Sequence, residues 1–205
     1  MVTAAAALSV TESALRRRSV RKFASDPVPR QDLEQVVQTA ALAPSAFNLQ
    51  PWRFVVVQDA ALKVRLAAAA HNQAQVTLAP AVIVVSTDTA DAVETRVEVI
   101  HPGLPAERRE RAVAAIVKNF AGKTEDEREA WGAAQGYIAL GFLLLAAESL
   151  DYQTSAMMGF TPDEVKAVLG LPAHVRVVAL VAIGRGVEEG LPHHRHPLDR
   201  ILRFA

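Results

Sequence analysis

From Trp131 to Ala147 the sequence reads WGAAQGYIALGFLLLAA, and this run constrains the fold more than any other. It is apolar nearly all round from Tyr137 to Ala147, which predicts a helix buried at the centre of the molecule. Trp131, Gln135, Ile138, Phe142 and Leu145 fall on one face, suited to bulk packing. Gly132 and Gly136 stand one turn apart on another, suited to close approach of a neighbouring backbone. The charged segment GKTEDERE, Gly122–Glu129, predicts a solvent-exposed start for this helix. No uninterrupted apolar run approaches the roughly 18 residues of a membrane span, so no membrane-spanning helix is expected.

Three short β-branched runs read as buried strands: Phe54–Val57, Ala81–Ser86 and Val175–Ile183. Leu33, Val36, Val37, Ala40 and Ala41 form an i, i+3, i+4, i+7, i+8 stripe, the mark of an amphipathic helix. Further helices are expected from a Thr11 cap through Arg18, over Ala60 to about Ala70, around Ala92–Ile100, and over Ala106–Phe120. The breaker HPGLP, His101–Pro105, separates the last two. SVRKF after the first helix reads as extended. Thr161-Pro-Asp-Glu164 reads as a capping box with proline at the first helical position. The pattern is α+β: one central mixed or antiparallel sheet of four to five strands surrounded by helices. Residues 1–205 are expected to form one domain, with 101–128 as a lid excursion.

At 205 residues and 51% hydrophobic content, the chain is large enough for a substantial core. Lys+Arg 22 against Asp+Glu 22 gives no support to nucleic-acid or membrane-surface binding. The absence of cysteine excludes a disulfide framework, thiol catalysis and thiolate metal ligation. The leading MVTAAAALSV lacks a charged n-region and makes a poor secretory signal, so a soluble cytoplasmic protein is expected.

Several enzyme signatures fail. Gly184-Arg-Gly186 opens no helix and has no third glycine in register, which argues against a dinucleotide-binding turn. There is no GxSxG, no P-loop and no HExxH. His193, His194 and His196 have no evident carboxylate or thiol partner, and a solvated polar tail accounts for them better than a metal site does.

What remains is a set of polar features, each with two readings. Arg16-Arg-Arg-Ser-Val-Arg-Lys22 packs five cations and a hydroxyl into seven residues. It is either a solvated face or an anion site, since arginine forks and serine hydroxyls suit phosphate oxygens. Arg195, within LPHHRHP, is a second candidate. The loop PSAFNLQPW, Pro44–Trp52, is stiffened by two prolines and carries Ser45, Asn48 and Gln50. It is either a connector with Trp52 as a core plug or a loop that holds a ligand. Asn72, Gln73 and Gln75 place amides just ahead of a buried strand, in a simple loop or a second polar site.

In this order the features resemble the nitroreductase family of FMN-dependent oxidoreductases. The match runs through RRRSVRKF, PSAFNLQPWRF, HNQAQV before APAVIVV, MMGF at 157–160, and GRG with LPHHRHP, covering most of the chain. The resemblance implies an interlocked homodimer with FMN at the subunit interface. It implies that Arg17, Arg18 and Ser19 approach the FMN phosphate, joined by His193 and Arg195. Arg21, Asn72 and Gln75 would face the pyrimidine edge of the flavin. Pro44, Ser45, Ala46 and Asn48 would come from the other subunit, and Met158 and Gly159 would offer backbone N–H groups near N5 and O4. Some members carry lysines at Arg21, Gln75 and His193, and many an acidic residue at Met158. The implied chemistry is two-step: NADH or NADPH reduces the flavin and leaves, then a nitroaromatic, a quinone or a related small-molecule acceptor is reduced on the same face. Alternatives on this fold are dehalogenation, flavin breakdown and small-aldehyde reduction, or a flavin-binding dimer without turnover.

Overall fold

A computed structural model describes residues 8–205; the leading segment weighed as a secretory signal falls largely outside them. The chain builds one four-stranded sheet in the order β1-β2-β4-β3, and every neighbouring pair is antiparallel. The strands are β1 (Trp52–Val57), β2 (Ala81–Thr87), β3 (Gln153–Met157) and β4 (Arg176–Gly184). Every residue of β2 is buried, as is β4 from Val177 on, so these two form the centre and β1 and β3 the edges.

Helices cover both faces. On one lie α2 (Arg30–Ala41) and α7 (Glu125–Ser149), packed on Ala81, Ile83 and Val85 of β2 and on Ala179, Val181 and Ile183 of β4. On the other lie α3 (Ala60–Ala69), α4 (Ala74–Leu78) and α8 (Pro162–Leu169), packed on Val82, Val84, Leu180 and Ala182. This alternation is the period of two of a strand buried on both sides. It slips once. Val85 pairs with Ala179 and Ser86 with Val177, so Val178 is the extra residue of a β-bulge, and both Val178 and Ala179 turn towards α7.

The central helix is α7, and its small-residue face is the one that packs. A Cβ on Gly132 would lie 2.1 Å from Thr89 Oγ1, and one on Gly136 would lie 2.8 Å from both Thr87 and Val178. Absent side chains therefore let the helix sit directly on the sheet at the bulge. The expectation of burial all round is corrected: Tyr137, Ile138 and Phe142 are exposed, and the face read as bulk-packing is the open one. By length and composition alone α7 could cross a bilayer, but its other face is bound to the sheet and to α2.

Other boundaries differ for local reasons. The first helix, α1 (Val10–Arg16), is capped by Ser9 in a reciprocal box with Glu12, not by Thr11, and ends at Arg17. Instead of a helix over Ala92–Ile100, α5 (Thr89–Glu94) forms under an Asp88 cap. It stops where the Thr95 hydroxyl bonds to Asp91 O and the Arg96 guanidinium to Val93 O. Thr161 starts α8 without a side-chain cap bond, because its hydroxyl faces His71 instead; Pro162 does take the first position. Strand β3, helix α4 and the short α9 (Leu198–Ile201) are additions to the sequence reading. The segment α6 (Ala106–Phe120) forms as expected and buries Ile116 and Phe120 against Leu49 and Ala92, edge-on to Trp131.

Candidate functional site

Two polar groups lie at the two ends of edge strand β3. The first forms where α1 ends. Ser19 bridges Thr154 in β3, and Val20 N–H donates to Thr154 O at 3.0 Å. Arg18 turns back on its own helix, one guanidinium nitrogen donating to the carbonyls of Leu15, Arg16 and Arg17. Arg17 is half-buried and its side chain makes no hydrogen bond or ion pair among the described residues. Burial lowers its pKa, the Arg195 charge lowers it further, and Glu148 partly opposes both.

The C-terminal tail brings in the rest of this group. Gly190 passes so close that a Cβ there would lie 2.5 Å from Arg18 Cβ and 3.0 Å from Ser19 O. His193 Nε2 lies 3.0 Å from Ala14 O, a carbonyl that can only accept, so this nitrogen carries the proton. Among the described residues the Arg195 side chain donates only to the neighbouring His194 O. Arg17, Ser19, His193 and Arg195 thus collect at one place. Arg21 is tied there by its backbone N–H to Glu188, which also faces Lys22 at 3.5 Å, while its own side chain stays exposed.

The second group lies three residues along β3 from Thr154, about 10 Å at roughly 3.3 Å per residue. Gln75 is buried and donates to Met157 Sδ at 3.1 Å and to Gln73 Oε1 at 3.1 Å. Gln73 in turn donates to Gly159 O at 2.7 Å. His71 and Asn72 are both left-handed, φ 55° and 54°, which turns the chain sharply between α3 and α4 and leaves both side chains exposed. Met158 is 66% exposed. Beside it a cavity of about 420 Å³ opens between α7 and α8, lined by Ala133, Ala134, Tyr137, Phe160 and Val178.

The loop Pro44–Gln50 is held by hydrogen bonds within itself and to α7, but lies elsewhere. Phe47, Asn48 and Gln50 are left-handed, at φ 59°, 57° and 46°. Such backbone in non-glycine residues costs about 1–3 kcal/mol each and persists only when held. Ser45 Oγ accepts from Gln50 N–H at 2.9 Å, Gln135 Oε1 accepts from Ala46 N–H at 2.9 Å, and Asn48 donates to Val99 O at 3.0 Å. Pro44 and Ala46 are exposed and Ser45 is half-buried. The loop leads into β1, three strand spacings from β3, about 14 Å across the sheet. Among the described residues no hydrogen bond joins it to either group on β3.

The nitroreductase family model matches residues 14–185, from α1 to just beyond the end of β4. The chain belongs to the nitroreductase family. Among curated nitroreductase relatives and neighbours, the Thermus thermophilus protein named NADH dehydrogenase is 48% identical over 195 residues, covering 95% of each chain. YdgI of Bacillus subtilis, provisionally named an NAD(P)H nitroreductase, is 31% identical over 92% of this chain and 93% of its own. A protein of Exiguobacterium sibiricum, solved in complex with FMN, superposes with a TM-score of 0.89 at 28% identity, covering 99% of this chain and 100% of its own. The family fold expected from the sequence is therefore the fold found.

Two residues that sequence reasoning left off its site are Gln73 and Glu148. Gln73 carried a signal, since it belongs to the same HNQAQ run as its neighbours. Glu148 carried one too, as a lone charge in LLLAAESL.

Proposed function

We propose that this protein is an FMN-dependent oxidoreductase that takes a hydride from NADH or NADPH and delivers it to a nitroaromatic, a quinone or a related flat acceptor. One observation carries the reading. Two cations that form no ion pair among the described residues, Arg17 and Arg195, meet beside Ser19, one strand length from the Gln75–Gly159 amide group. Like charges gathered this way favour an anion between them. The spacing to the amides suits a phosphate at one end and a hydrogen-bonding ring at the other. FMN, when bound, supplies the two-electron chemistry that no side chain here possesses.

The chain's own residues then divide the work. Arg17, Ser19, His193 and Arg195 hold the phosphate, and Arg18 holds the end of α1 so that Arg17 and Ser19 face it. Asn72 and Gln75 read the pyrimidine edge, with Arg21 as the nearby positive charge. Gly159 offers an N–H that has no backbone partner among the described residues, and Met158 leaves an apolar surface beside it. The cavity next to Met158 takes donor and acceptor in turn, which gives ping-pong kinetics.

We infer that Pro44, Ser45, Ala46 and Asn48 complete the site of a second subunit. Their distance from β3 within one chain supports this, as do the exposed Tyr137, Ile138 and Phe142 on α7. Residues 101–128 act as a lid, anchored to the same loop through Leu49. The lack of cysteine fits a cytoplasmic setting.

Two measurements test the reading. Purified protein should be yellow and release FMN on denaturation, as seen by chromatography of the chromophore. Oxidation of NADH and NADPH with menadione or a nitrofuran should give parallel double-reciprocal lines. Recovery of stoichiometric FAD, or of no flavin after reconstitution, would overturn the cofactor assignment; absence of turnover with every acceptor would leave a flavin-binding dimer.

A further inference from the structure

Glu148 stands in the last turn of α7, 2% exposed, in an otherwise apolar stretch. Burial and the negative end of the helix dipole both oppose its ionised form. Its carboxyl is accordingly lifted above the ordinary range, chiefly by burial and further by Asp151, against the pull of Arg16, Arg17 and Arg18. Its contacts do not account for keeping it. Oε1 lies 3.3 Å from Arg16 Nε, but Arg16 also pairs with Asp151 at 2.7 Å. Oε2 is buried and has no hydrogen-bond partner among the described residues, and the same holds for Ser13 Oγ on α1 and Thr154 Oγ1 on β3. The tail closes this junction with Glu188, Glu189 and Gly190, so that two more carboxylates and the Arg18 side chain line its outer wall.

Arg17 shows what the buried charge does. Its own burial, Arg195 and Arg18 all work against its positive charge, and Glu148 is the acid whose field supports it. We infer that Glu148 is the internal counter-ion of the arginine cluster, and that it competes with the cofactor phosphate for those arginines. The inference rests on the assignment of Arg17 and Arg195 to the phosphate. It gives Glu148 two opposed effects. Without cofactor, the carboxylate offsets repulsion among Arg16, Arg17, Arg18 and Arg195, although its own burial costs more than those charges return. With cofactor, the same carboxylate lies behind an incoming dianion and repels it. A residue with only a packing role would affect FMN and riboflavin alike, because riboflavin lacks only the phosphate.

The test uses Glu148→Gln, which keeps shape and removes charge, with Glu148→Met as a second neutral variant that leaves no amide unpaired. Protein stripped of flavin is titrated at pH 8 with FMN and with riboflavin, which lacks the phosphate. The expected result is FMN binding about tenfold tighter than wild type, riboflavin binding unchanged, and a Tm for the flavin-free variant no lower than that of the wild type, since a neutral side chain escapes the burial cost of the carboxylate. Inorganic phosphate forms a separate arm: at one fixed concentration it should raise the Tm of the variant more than that of the wild type. FMN binding that is unchanged or weaker in both variants overturns the inference, and so does an equal gain for riboflavin. Should the wild type bind no FMN, the flavin assignment fails on its own, and the phosphate arm decides whether Glu148 opposes an anion at this cluster.

Discussion

Gly132 is the residue at which the sequence leaves the least freedom. A methyl group there would overlap Thr89 Oγ1, at 2.1 Å, in a wall formed by the sheet and the first turn of α5. Gly132→Ala should therefore cost about 1–3 kcal/mol by overpacking, despite the better helix propensity of alanine. Thr89 Oγ1 is buried and has no hydrogen-bond partner among the described residues, so Thr89→Ala alone should cost little. The double variant should recover most of the loss, a coupling of about 1 kcal/mol or more in denaturant unfolding; strictly additive losses would show that the contact is not the cause. The cations of the site separate at the same scale. Arg17→Ala or Arg195→Ala should weaken FMN binding in a salt-dependent way, because both are assigned to phosphate. Arg21→Gln should instead make the two-electron potential of the bound flavin more negative, since a cation near N1 and O2 favours the reduced ring. Loss of about 1.4 kcal/mol of that preference is about 30 mV. Lys22 lies beside Glu188 and is poorly placed to compensate. Spectroelectrochemical titration decides: an unchanged potential with weakened oxidised FMN would move Arg21 to the phosphate.

At the scale of elements, the joint between α7 and β3 carries a charged network that ties α2 and the end of β4 to it. Tyr152 donates to Asp32 of α2 at 2.5 Å, and the Arg185 guanidinium lies 5.1 Å from the Tyr152 ring centre while also bonding to Asp151. Burial, and then Asp32, push the Tyr152 pKa from 10.0 up to about 12. Because the folded value lies above the unfolded one, the neutral phenol stabilises the fold fully below pH 10, and that contribution is lost as pH rises towards about 12. Tyr152→Phe should cost about 1–2 kcal/mol at neutral pH, and the gap to wild type should close over that alkaline window. A constant gap would assign the cost to packing. This joint also marks the limit of what could be read from the chain. Strands β2 and β4 and helices α2, α3, α6 and α7 were legible because burial on one face or both leaves a periodic apolar signal. Strand β3, QTSAM, was not legible, since it is short, lies at an edge and owes its pairing to β4. Ser9 outcompeted Thr11 because Glu12 stands three residues after Ser9 and closes a reciprocal box, whereas Ala14 stands three residues after Thr11. The candidate site stood out in the sequence as motifs, but nothing there placed the arginine and amide groups along β3.

At the scale of the whole molecule, the two halves of the polar apparatus do not meet within one chain. The Arg17–Arg195 group and the Gln75–Gly159 group share β3, while the strained Pro44–Gln50 loop stands at the β1 side, held in shape by α7 and Val99. Between them α7 presents Tyr137, Ile138 and Phe142, exposed at 42%, 40% and 39%, a surface whose burial against a second copy would supply a hydrophobic driving force. Under the proposed function, a homodimer built on this face would bring the loop of one protomer to the β3 edge of the other, and flavin binding and association would be one linked equilibrium. Saturating FMN should then stabilise the dimer by about 2.7 kcal/mol at a free concentration 100-fold above its Kd, with a Tm that also rises with protein concentration. Ile138→Glu places a charge in the middle of this face, where pairing would bury it without a partner. Light scattering should find the variant monomeric, circular dichroism should find it folded, and its FMN affinity should fall at least about tenfold with Arg17 and Arg195 untouched. A folded monomer that binds FMN as tightly as the wild type would mean that one chain holds a complete site, and that the loop before β1 serves some other end.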